Sequence, residues 1–90
     1  MTHDDKIPHY GKDWTTLAEA LGDLRYDALS EFLTALSQKI AKDADADTGS
    51  ERHQLAQELY SSAAKLEAAA GATEKAWEIC EPFMDESLID

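Results

Sequence analysis

Asp43, Asp45 and Asp47 alternate along the chain and are followed by Gly49. Carboxylates at that spacing in a loop can converge on one hard cation, which takes several oxygen ligands at once. The arrangement is an incomplete calcium loop. Thr48 stands where the turn glycine should follow the third Asp, and Gln54 occupies the bidentate glutamate position. Asp43, Asp45 and Asp47 are therefore weak candidate metal ligands, and the simpler expectation is an acidic loop that keeps its neighbourhood solvated. His3, Asp4, Asp5 and His9 are competent transition-metal ligands, but Pro8 and Gly11 interrupt their segment and nothing preorganises them.

Cys80 is the sole cysteine, so it has no partner for an internal disulfide. As a nucleophile it would need a nearby base and a positive environment. Its neighbours are Trp77, Glu78, Ile79 and Glu81, and the histidines stand far off at 3, 9 and 53. A buried structural thiol fits better. The chain holds no nucleophile elbow and no Gly-rich phosphate loop, and neither Glu58 nor Glu67 begins a Glu-x-x-His pair. It reads as a non-enzyme with no cofactor. Trp77, Phe83, Met84, Leu88 and Ile89 are a different kind of candidate. They are interleaved with acids near the end of the chain, and aromatic and Met side chains supply contact energy in interfaces.

The elements that must position these residues are helical. Fifteen alanines and no valine favour helix over strand. Residues 1–12 read as an irregular arm. Asp13 is a good N-cap for a short helix over 14–21, ahead of Gly22, and Asp23 is a cap for the next. The second helix, about 24–42, places Leu24, Ala28, Leu29, Phe32, Leu33, Ala35, Leu36 and Ile40 around roughly half its circumference. Lys39 and Lys42 fall in its expected last turn. Residues 41–50 read as the clearest loop. A third helix, about 50–70, is capped by Thr48 with Glu51 or by Ser50 and closed by Gly71. Its stripe is Leu55, Leu59, Ala63, Leu66 and Ala70, and the Ala-rich end would let another backbone approach closely. Thr73 is expected to cap a short helix over 74–81 that Pro82 ends, leaving 83–90 as an acidic and apolar tail. The expected architecture is all-α. A small helical bundle is built on an antiparallel hairpin of two long helices, in one domain over 13–82.

Charge narrows the function classes. Nineteen acids against eight bases give a net charge of −11. Residues 1–42 carry a net −2, residues 43–73 a net −4 and residues 74–90 a net −5. Phosphate backbones and anionic membrane surfaces should repel the second half in particular, which disfavours direct nucleic-acid or membrane binding. No apolar run approaches the roughly 20 residues of a membrane span. A lone cysteine and a polar N-terminus point to the cytoplasm. The reading that follows is an interaction or regulatory module for a protein partner with a basic surface. The alternatives are calcium binding through residues 43–47 and a structural homodimer. A nucleic-acid mimic or an antitoxin- or immunity-like neutraliser is a special case of the first.

Overall fold

The computed structural model describes residues 5–8, 10–11, 13–48 and 52–89, apart from the side chains of 48 and 84–89. The protein is all-helical: α1 spans Trp14–Gly22, α2 Tyr26–Thr48 and α3 His53–Ile89. The described residues contain no strand.

Asp13 caps α1 as its residue type predicts, its carboxylate accepting the Thr16 N–H at 2.8 Å. Asp23 does not open the next helix. It ends α1, donating its N–H to the carbonyls of Glu19 and Leu21. The second helix starts at Tyr26, with the Leu29 N–H bonded to the Arg25 carbonyl at 3.0 Å.

Three expected interruptions are helical. Residues 41–48 continue α2 instead of forming a loop, and α3 passes through both Gly71 and Pro82. The expected separate helix over 74–81 is thus the far part of α3, and no break separates it from 83–89. Packing extends α2: Ala44 is fully covered, and Asp47 is 2% exposed beside Arg52, which leads into α3. A helix whose next turn is held against a neighbour overrides the loop preference of alternating Asp. A Cβ at Gly71 would meet nothing within 4 Å, so the glycine brings only its intrinsic penalty, about 1 kcal/mol relative to Ala. Lys39, expected near a helix end, lies in the helix interior and bonds Asp43 at 2.6 Å, one turn on. The capping pair Thr48 and Glu51 and the cap Ser50 lie outside the described residues and side chains.

The second and third helices run antiparallel and, among the described residues, are the only pair of helices that packs extensively. Their seam is made of small residues. Ser30, Ser37 and Ala44 on α2 and Ala56, Ala63 and Ala70 on α3 recur every seventh residue, and all are buried. The Ser30 hydroxyl donates to the Ala70 carbonyl at 2.9 Å, fixing a register that sets Ser37 beside Ala63 and Ala44 beside Ala56. Ser37 turns its hydroxyl to the Thr34 carbonyl at 2.8 Å, so neither buried serine leaves its donor unmet. The molecule measures 55 × 30 × 14 Å, so it is one helical layer thick. The core expected from the sequence is displaced accordingly. Phe32 and Leu55, both expected inside, are 40% and 43% exposed, and Ala35 is exposed. Small side chains allow the two backbones to approach, and close approach leaves no room between them for the large ones.

Candidate interaction surface

Sides of the hairpin follow from the heptad register. In an antiparallel pair, residues three on from each small seam residue lean to one face on both helices, and residues four on lean to the other. The first face gathers Leu29, Leu33, Leu36 and Ile40 from α2 with Leu55, Leu59, Leu66 and Ala69 from α3, edged by Phe32. Its leucines and Ile40 are only partly covered. Charge on it is sparse and mixed: Asp43 is bonded to Lys39, and Glu58 and Lys65 share the α3 edge.

The second face is polar. Glu31 and Asp45 on α2 and Glu67, Glu74, Glu78 and Glu81 on α3 are all exposed there. The Tyr60 hydroxyl donates to Asp45 across it. Among the described residues between Asp27 and Glu81 the bases of this face are Lys42 and Lys75, which lie at its outer edges three residues before Asp45 and Glu78. Glu67, Glu74 and Glu81 form a row spaced by about 10 Å along the helix. The sequence assigns the acid excess to the second half of the chain. In three dimensions it sorts by face.

The three Asp residues considered as metal ligands are separated. Asp43 turns to Lys39 on the apolar side, Asp45 to Tyr60 on the polar side, and Asp47 is buried with an Arg52 nitrogen 3.0 Å from its Oδ1. Residues two apart on a helix point about 200° away from each other, so helix formation through 48 disperses what a loop would converge. No group of three or more His, Cys, Asp or Glu able to hold a metal ion occurs among the described residues.

Of the expected anchors, Trp77 is half-buried at the open end of the hairpin. Arg25 lies over its ring, 5.2 Å from the centroid, and also grips Asp27 through two bonds of 2.7 and 2.8 Å. Hydrogen bonding and the opposite charge of Asp27 raise the pKa of Arg25, and the Arg25 hydrogen bond holds the Asp27 carboxyl below its usual value. This clamp orders the α1–α2 connection against α3. Cys80, expected to be buried, is intermediate and borders the same hollow with Tyr26 and Trp77. Phe83 is 59% exposed. Ile79, read from the sequence as a mere neighbour of Cys80, is 73% exposed, the most open large apolar side chain described. Its spacing of four from Phe83 was a signal the sequence carried. The side chains of Met84, Leu88 and Ile89 lie outside those described, although their backbone continues α3. Of the Ala-rich end of α3, Ala63 and Ala70 are buried against α2, and Ala64, Ala68 and Ala69 are exposed. No described helix is long and apolar enough to cross a membrane. Comparison with protein-family models, curated proteins and solved structures finds no match.

Proposed function

We propose that the chain is a protein-interaction module with no chemistry of its own, and that its acidic face docks on a basic surface of a partner protein. The supporting observation is the exposed row of Glu67, Glu74 and Glu81, joined by Glu31, Asp45 and Glu78, against which the described residues set only Lys42 and Lys75 at the outer edges of the face. Such one-signed charge on a rigid pair of helices steers encounter with an opposite surface and rejects anionic partners. Ile79 and Phe83, exposed in the segment that the sequence marks for anchoring, each stand two residues from Glu81 and so lie around α3 from the acidic row, where they would offer a separate apolar contact.

The test is recovery of partners from native lysate by the intact chain and by a Glu67→Lys, Glu74→Lys, Glu81→Lys variant. A partner held at low salt should be released at moderate salt, where the screening length falls to about 10 Å, and should be missed by the variant. Retention of the same partner by the charge-reversed chain would overturn the reading.

A further inference from the structure

We infer that the apolar face of the hairpin is covered by the same face of a second copy of this chain, giving an antiparallel four-helix bundle with both acidic faces outward. A helical face of this kind must be buried against another layer, and one hairpin supplies a single layer 14 Å thick. Within that layer the buried apolar residues among those described are Ala44, Ala56, Ala63 and Ala70. Leu29, Leu33, Leu36, Ile40, Leu59 and Leu66 stay half-covered on one side. The short helix α1 does not cover them, since it makes no extensive packing with either long helix and buries none of its own residues.

Two observations select a second copy as the occupant. The first is area. The apolar positions run from Leu29 to Ile40 on α2 and from Leu55 to Ala69 on α3, about 20 Å along the helices, and two helices abreast make the face about 20 Å wide, or roughly 400 Å² in outline per copy. A contact of that size is in the range of small, reversible interfaces. The total accessible surface, 7093 Å², also exceeds the roughly 5,200 Å² expected of a compact monomer of 9.9 kDa. The second observation is charge. A chain with a net charge of −11 should repel its own copy almost anywhere, yet on this face Lys39 and Lys65 offset Asp43 and Glu58. A twofold axis through the face brings like surfaces together without bringing like charge together, as an isologous contact requires.

The experiment exploits Ser62 and Ala69, which sit on this face of α3 but are exposed in the single hairpin. Ser62→Glu with Ala69→Glu leaves the Ala and Ser seam intact and puts two carboxylates into the contact between copies. A control carries Ala64→Glu with Ala68→Glu, exposed positions of α3 turned away from that face. Sedimentation equilibrium and light scattering of the full chain at micromolar concentrations should give a dimer for the wild type and the control. The S62E/A69E variant should be helical by circular dichroism and should dissociate on the order of a hundredfold more readily, because unpaired charges would be buried. A monomeric wild type overturns the inference. So does a dimer that S62E/A69E leaves as tight as the control, since copies would then meet through another surface. Neither result bears on the acidic face, whose test is the loss of partner by the charge-reversed variant.

Discussion

Ala63→Leu is the sharpest perturbation of the seam between α2 and α3. Ala63 is 7% exposed, and the Ser30–Ala70 bond sets it beside Ser37, which is 4% exposed. Leucine adds three carbons where two helices approach most closely. If a vacant space received them, their transfer from water would stabilise the fold by about 0.8 kcal/mol per carbon. The seam has none to offer, because its neighbours are backbone and Ser or Ala side chains that have no smaller rotamer. Helix separation then competes with off-rotamer packing, a destabilisation of about 1–3 kcal/mol. The whole domain has a stability of about 5–13 kcal/mol at typical values per residue, so the loss is a large fraction. For a chain of this size it corresponds to a melting temperature lower by roughly 5–20 °C. Ala64→Leu, one residue on and exposed, is the control and should stay within about 0.5 kcal/mol of wild type. Thermal unfolding followed at 222 nm, at matched protein concentrations, reads both. If A63L melts no lower than A64L, alanine is not required at the seam, and the close-approach account of the fold is wrong.

Two further perturbations probe the places where the structure departs from local propensity. Arg52→Ala removes the guanidinium 3.0 Å from the carboxylate of Asp47, which is 2% exposed, and should lower stability by about 1–3 kcal/mol, Arg52 itself being half-exposed. Asp47→Asn in the R52A background should recover part of that loss, and a double-mutant cycle by urea unfolding checks the coupling. Gly71→Ala introduces a Cβ into open space in the interior of α3 and should raise stability by about 0.5–1 kcal/mol, read as an upward shift of the urea midpoint; a drop would show that the glycine is needed as glycine.

The helical class, the cap at Asp13 and the extent of α1 were legible because they rest on local chemistry: alanine content, an Asx side chain, a glycine. The long reach of α2 and α3 was not. Asp43, Asp45 and Asp47 favour a loop on their own, and only the burial of Ala44 and Asp47 against the start of α3 makes helix the better state. Gly71 and Pro82 are strong punctuation in sequence, yet α3 runs through both. The seam had a signal that hydropathy hides. Ser30 and Ser37 count as polar on any scale, but at seven-residue spacing with Ala44 they mirror Ala56, Ala63 and Ala70. Size, more than apolarity, decides which side chains sit between the helices. Ranking by hydrophobicity therefore put Phe32 and Leu55 inside and left the serines out. Charge was legible in amount and not in placement, because sorting by face depends on the register between two helices.

That register carries a hidden degeneracy. Six seam positions filled only by Ser and Ala are nearly interchangeable, so sliding α2 past α3 by one heptad would set Ser37 beside Ala70 with almost the same fit. Packing in such a seam discriminates weakly between alignments about 10 Å apart. What singles out one alignment lies at the two ends of the hairpin: Asp47 held by Arg52 at the connection, and Arg25 clamped over Trp77 at the open end. A ruler with identical marks is read only by its ends, so severing the connection between Thr48 and His53 in an Arg52→Ala chain would release one of the two stops and let the paired helices shift in steps of a heptad.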